Sequence, residues 1–121
     1  MKMMVVDDSL VMRNKIQRGM SSRGVEIVAS ASNGAEAVRA FTRLRPEMVT
    51  LDITMPEMDG LECLRQLLEI EPEVRVLVIS ALADKATAIE SIKRGAAGFL
   101  CKPFNDDELY EALQELSEIE C

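Results

Sequence analysis

The stretch Val49–Gly60 reads VTLDITMPEMDG. It opens as a short apolar, partly β-branched run and stops at a carboxylate, Asp52. Pro56 and Gly60 then interrupt regular structure before an amphipathic segment begins at Leu61. A run of this kind is the pattern of a strand buried on both faces. Asp52 then falls at the carboxyl end of a central strand, where open α/β sheets place their ligands. Taken alone, an aspartate there is more often a cap or the opening of a turn. The rest of the chain decides between these.

Working outward, Met48–Asp52 is the third of five strand-like runs. The others are Lys2–Val6, Val25–Ala29, Val74–Ile79 and Gly98–Cys101, the last leading into Lys102 and Pro103. Between and after them lie helical patterns. Met12, Ile16 and Met20 mark the first, with Ser9 as its cap and Gly24 as its stop. After a turn at Asn33-Gly34, Ala37, Phe41 and Leu44 mark a second, closed by Pro46. Leu61, Leu64 and Leu68 mark a third, ended near Pro72. Ile89, Ile92 and Ala96 mark a fourth. Leu109, Leu113 and Leu116 mark a fifth, with Asn105 as cap and Asp106, Asp107 and Glu108 in the first turn, favourable to the helix dipole. Strict alternation of strand and helix predicts an α/β fold, a parallel sheet covered by helices on both faces. At 121 residues this is one domain, spanning 1–121.

Composition narrows the chemistry. Aromatic residues are only 3%, so the core must be aliphatic and methionine-rich. The net charge of −7 argues against a nucleic-acid or anionic-membrane surface. No leader peptide or membrane-length apolar run is visible, and Cys63, Cys101 and Cys121 are odd in number and widely spaced, which fits a cytoplasmic chain. Histidine is absent, which removes histidine-based nucleophilic catalysis and histidine metal sites.

In a parallel sheet every strand ends on the same edge. That edge collects Asp7 and Asp8 from the first strand, Asp52 from the third, Ser80 from the fourth and Lys102 from the fifth. Singly, these are ordinary turn acids, a helix cap and a surface lysine; their convergence is not ordinary. Two carboxylates ~4 Å apart repel by about 4 kcal/mol at an effective dielectric of 20, so three together need a cation. An all-oxygen acidic cluster suits Mg²⁺. Lys102 supplies a point charge for a phosphate, Ser80 a hydroxyl, and Asp52 a nucleophile that would form an aspartyl-phosphate.

VVDDS with Met12-Arg13, LDITMPEMDG, VISA and GFLCKPF together resemble the receiver domain of two-component response regulators, over nearly the whole chain. The resemblance implies a flavodoxin-like (βα)5 sandwich of strand order 2-1-3-4-5. It implies Mg²⁺ held by Asp8 and Asp52 directly, by Asp7 through water and by the backbone carbonyl of Thr54. It implies phosphoryl transfer to Asp52 from a phosphohistidine on a sensor histidine kinase, with Lys102 and Ser80 sensing the phosphate. Phe99 falls at the switch aromatic, often tyrosine, and Leu82 is apolar where polar side chains can influence attacking water. Without tyrosine's hydroxyl, the Phe99 ring is expected to lie inward even before phosphorylation. The protein is then a phosphoacceptor and not an enzyme with a separate substrate. It is expected to be a monomer of the single-domain chemotaxis type, whose target is a downstream protein such as the flagellar motor switch. The same motifs also resemble the receiver of chemotaxis methylesterases, so a receiver cut from such a regulator, or from a transcription factor, is the alternative. A Mg²⁺-dependent aspartate-nucleophile phosphatase fits less well, because the connections are short and no cap is present. A flavodoxin-like cofactor carrier is weaker still, because no phosphate-cradling loop follows the first strand.

Overall fold

The computed structural model describes residues 1–53, 60–81 and 85–117. Thr54, Pro56, Leu82 and Cys121 lie outside the described residues. The elements are β1 (Lys2–Val6), α1 (Leu10–Ser21), β2 (Glu26–Ala31), α2 (Gly34–Leu44), β3 (Met48–Asp52), α3 (Gly60–Ile70), β4 (Arg75–Ala81), α4 (Lys85–Lys93), β5 (Gly98–Lys102) and α5 (Asp106–Ser117). All strand pairs are parallel, in the order β2-β1-β3-β4-β5. The expected flavodoxin-like architecture is therefore present.

Strand alternation sends successive side chains to opposite faces. On one face Met3, Val5, Met48, Leu77 and Ile79 pack against Ile16 and Met20 of α1 and Leu109, Leu113 and Leu116 of α5. On the other, Met4, Val6, Val49, Leu51, Val76 and Val78 pack against Phe41 of α2 and Cys63, Leu64 and Leu67 of α3. The aliphatic core anticipated from composition is thus two layers, one on each side of the sheet.

The helix caps follow from local chemistry. The Ser9 hydroxyl accepts from Met12 N–H, and the Asn105 side chain accepts from Glu108 N–H while Glu108 accepts from Asn105 N–H, closing a reciprocal box. Asn33 is more than a turn residue. Its side chain accepts from Glu36 N–H and caps α2, with Gly34 as the first helical residue.

Several expectations shift. The second strand runs Glu26–Ala31 instead of Val25–Ala29, because the register slips between Met3 and Met4 and carries the pairing on to Val6–Ala31. The fourth strand continues through Ser80 to Ala81, held by pairing with Cys101 and Lys102, so Ser80 is a strand residue and not a helix cap. Leu44 is exposed, and Cys63 and Leu67 are buried more deeply than Leu61 and Leu68. The largest change is in α4. The small residues Ala88 and Ser91 face the sheet, whereas Ile89 and Ile92 are 46% and 39% exposed. Spacing identified an apolar stripe correctly but could not say that it faces outward.

Thr50 is fully buried in β3 between Val5 and Leu77, and its hydroxyl has no hydrogen-bond partner among the described residues. An unpaired buried hydroxyl costs about 1–3 kcal/mol. Thr50→Val keeps the branched shape and removes that group. It is expected to raise stability by about 1 kcal/mol, seen as a melting temperature about 4 °C higher. A lower melting temperature would mean that the hydroxyl is paired.

Candidate functional site

The strand register builds the site. Val6 pairs with Leu51 and Asp52 with Ile79, so the next residue of the first strand, Asp7, comes beside Asp52 at the carboxyl edge. Asp7 N–H donates to the Ala31 carbonyl at 3.0 Å, which carries the chain one step past the strand. Asp52 is the last residue of β3, and its successor Ile53 donates N–H to the Ile79 carbonyl at 3.2 Å.

Both carboxylates are nearly sealed from solvent, Asp7 at 1% and Asp52 at 2% exposure, whereas Asp8 is exposed. One oxygen from each of Asp7, Asp8 and Asp52 lies within 4.8 Å of the others. Lys102 Nζ stands 3.7 Å from Asp7 Oδ2 and 3.5 Å from Asp52 Oδ2. These separations exceed ordinary hydrogen-bond lengths, so the ammonium acts on both acids as a charge. Three carboxylates facing one ammonium leave a site that is still anionic.

Asp7 is held by its surroundings. Its Oδ1 accepts from Ser9 N–H at 2.9 Å, and its backbone carbonyl accepts from Arg13 Nη1 at 2.7 Å. Its Oδ2 is buried without a hydrogen-bond partner. Burial pushes its pKa above the usual carboxylate value; the Ser9 hydrogen bond and the Lys102 charge oppose that shift, and the neighbouring Asp52 and Asp8 charges add to it. The fold thus binds the Asp7 proton more tightly than the unfolded chain does. The stability this contributes is present in acid and is lost as pH rises through the folded value, unless a cation takes the proton's place.

That orphaned oxygen, together with an all-oxygen donor set and no histidine in the sequence, fits a hard divalent cation such as Mg²⁺. The expected fourth donor, the Thr54 carbonyl, lies outside the described residues, as does Leu82.

Ser80 and Phe99 occupy the other side of the sheet. Ser80 pairs with Cys101 and Val78 with Phe99, placing Ser80, Cys101 and Phe99 on the face covered by α4 and placing Lys102 with the aspartates. The Ser80 hydroxyl is buried and has no partner among the described residues. The Phe99 ring is 37% exposed, which corrects the expectation of an inward ring. Its strand is the sheet edge, and α4 closes over that edge through small residues, leaving the ring at the margin. The expectation weighed the gain from burial without a measure of the space available.

Sequence reasoning gave Arg13 no role beyond its place in a motif. Its grip on the Asp7 carbonyl depends on α1 folding back over the strand end, which no spacing rule anticipates.

The family model described as the response regulator receiver domain matches residues 3–114. The chain is 42% identical over 118 residues to the chemotaxis protein CheY of Listeria monocytogenes, covering 98% of this chain and 99% of that one. Among solved structures, the receiver domain of NtrX from Brucella abortus superposes with a TM-score of 0.93 at 32% identity, covering 98% and 99% of the two chains. The CheX–CheY–BeF3–Mg²⁺ complex from Borrelia burgdorferi includes a chain with a TM-score of 0.92 at 31% identity, covering 98% and 90%.

Proposed function

The chain belongs to the response regulator receiver family, and from that premise we propose that it is a phosphorylation-operated switch of the chemotaxis type. The 42% identity over 118 residues to a chemotaxis protein supports that choice. The observation that carries the chemistry is the placement of Lys102 between two sealed carboxylates at the end of the central strands.

Asp52 is the phosphoacceptor. One of its carboxylate oxygens attacks the phosphorus of a phosphohistidine on a partner kinase. A P–O bond forms as the P–N bond breaks, and the electron pair returns to the imidazole nitrogen, which takes a proton from solvent. Lys102 is close enough to turn from Asp52 to the new phosphoryl oxygens. Asp7, Asp8 and Asp52 would hold Mg²⁺, with the Thr54 carbonyl as a further donor. When bound, the ion neutralises the carboxylates and the oxygens of the transferring group. Uptake of one phosphoryl group from phosphoramidate with Mg²⁺, read by intact mass, tests the proposal. No uptake by folded protein would overturn it.

The Ser80 hydroxyl, a buried donor without a partner among the described residues, is the natural group to turn toward a phosphoryl oxygen. Phe99 lies on the same face and answers by moving inward. Burying the ring is worth roughly 1.5–3 kcal/mol, enough to move a two-state equilibrium by one or two decades. The output surface is then α4, β5 and α5, where Ile89, Ile92 and Phe99 are exposed. Phe99→Ala is expected to keep phosphoryl uptake and to lose most of the phosphorylation-dependent gain in binding to the output partner. An unchanged gain in a pull-down would make the ring simple packing.

Mg²⁺ is expected to stabilise the fold by about 2.7 kcal/mol at one hundred times its dissociation constant. Asp8→Asn should remove most of the corresponding rise in melting temperature. Equal rises in both proteins would place the ion elsewhere.

A further inference from the structure

Asp7 is tied down from three directions. Its N–H donates to the Ala31 carbonyl of β2, its Oδ1 accepts from Ser9 N–H, and its carbonyl accepts from Arg13 Nη1 at 2.7 Å. Of its polar atoms only Oδ2 is left without a hydrogen-bond partner among the described residues. The Arg13 bond is the one whose effect reaches beyond Asp7. The Asp7 carbonyl is part of the planar peptide that joins Asp7 to Asp8. Holding that plane fixes the last backbone torsion of Asp7 and the first of Asp8, and with them the angle between the two carboxylates. Asp8 needs this from outside, because it is exposed and its side chain makes no hydrogen bond among the described residues.

Arg13 sits where local helix chemistry does not favour it. It closes the first turn of α1, a turn with no acidic residue. The positive end of the helix dipole disfavours a cation there. The side chain is half-buried, and its guanidinium turns back to the strand end. A residue that works against its own helix while making a short bond beside an ion site has its use in that site.

We infer that Arg13 is a positioning residue for the metal site: by holding the peptide between Asp7 and Asp8 it keeps the two carboxylates in the relation a divalent cation requires. This rests on the reading of the acidic cluster as the Mg²⁺ site of phosphoryl transfer. A competing effect has the opposite sign. A fixed cation beside the cluster repels Mg²⁺, so loss of its charge alone would tighten binding. Loss of the clamp loosens it, and groups that orient metal ligands are typically worth about ten- to a hundredfold in affinity. The clamp wins.

The test compares the full chain with Arg13→Met, which keeps a long helix-favouring stem, and with Lys15→Met, which removes a charge from the exposed side of the same helix. Mg²⁺ affinity is read from the rise in melting temperature and from the concentration giving half-maximal phosphoryl uptake from phosphoramidate. Arg13→Met is expected to weaken binding about tenfold by both readings. Its uptake at saturating Mg²⁺ should stay within about twofold of the parent. Lys15→Met should bind the ion no more weakly than the parent. In metal-free protein the Ser9 amide should exchange faster in Arg13→Met, whereas the Leu109 amide, bonded to the Asn105 carbonyl at the start of α5, should not. Unchanged or tighter Mg²⁺ binding by Arg13→Met, or an unmoved Ser9 amide, would overturn the inference. So would guanidinium protons of Arg13 that exchange freely in the parent, whatever the variant does. A parent that takes up no phosphoryl group sinks the switch itself. Parent uptake with the same Mg²⁺ dependence in Arg13→Met sinks this inference alone.

Discussion

Asp52→Asn is expected to take up no phosphoryl group from phosphoramidate and Mg²⁺, where the parent gains one by intact mass. The amide matches the carboxylate in shape but offers no anionic oxygen to attack phosphorus. Nothing else in the cluster is placed to substitute. Asp8 is exposed, and Asp7 spends Oδ1 on the Ser9 amide while burial favours its neutral form. The same substitution removes one of three crowded acids, so in the absence of Mg²⁺ the variant should melt no lower than the parent. Retained stability with lost uptake separates chemistry from folding. Full labelling of the variant would move the acceptor to another residue and undo the assignment of Lys102 as well, because that lysine is placed by its distance to Asp52.

Gly60→Ala is expected to be the most damaging small substitution in the scaffold. A Cβ at residue 60 would lie hard against the Ile53 Cα and 2.7 Å from its Cβ. The Ile53 Cα is backbone and cannot rotate away. It belongs to the segment just past Asp52, whose amide is tied to the Ile79 carbonyl. Alanine gains up to about 1 kcal/mol over glycine in a helix, but overpacking a rigid contact costs typically 1–3 kcal/mol and more against backbone. The clash wins. Stability should fall by about 3 kcal/mol, and the melting temperature by roughly 10 °C. Gly24→Ala is the matched comparison. Gly24 has φ +87° with open space around it, so only the left-handed backbone strain of about 1–2 kcal/mol applies. If Gly24→Ala proved the worse of the two, the close approach of α3 to the end of β3 would not be what residue 60 supports.

Gly60 also shows where linear reading stops. In sequence it is a breaker four positions after Pro56. In the fold it is the first residue of α3, small because the helix start passes over the end of β3. The contact joins residues seven positions apart through a change of direction, and no periodicity encodes it.

The element order, the parallel sheet and the convergence of Asp7, Asp8, Asp52, Ser80 and Lys102 on one edge are legible in the chain read as a string. These follow from alternation and from chain direction, which are one-dimensional properties. Which face each residue takes and what surrounds it depend on how distant segments pack. Register put Lys102 with the aspartates and Ser80 with Phe99 on the opposite side of the sheet. Packing turned Ile89 and Ile92 outward, because Ala88 and Ser91 allow α4 to lie close to the strands. Burial left Asp7 Oδ2 and the Thr50 and Ser80 hydroxyls without hydrogen-bond partners among the described residues. Burial, register and charge pairing depend on neighbours distant in sequence, so the chain order that predicted the site could not predict its electrostatics or its exposed face.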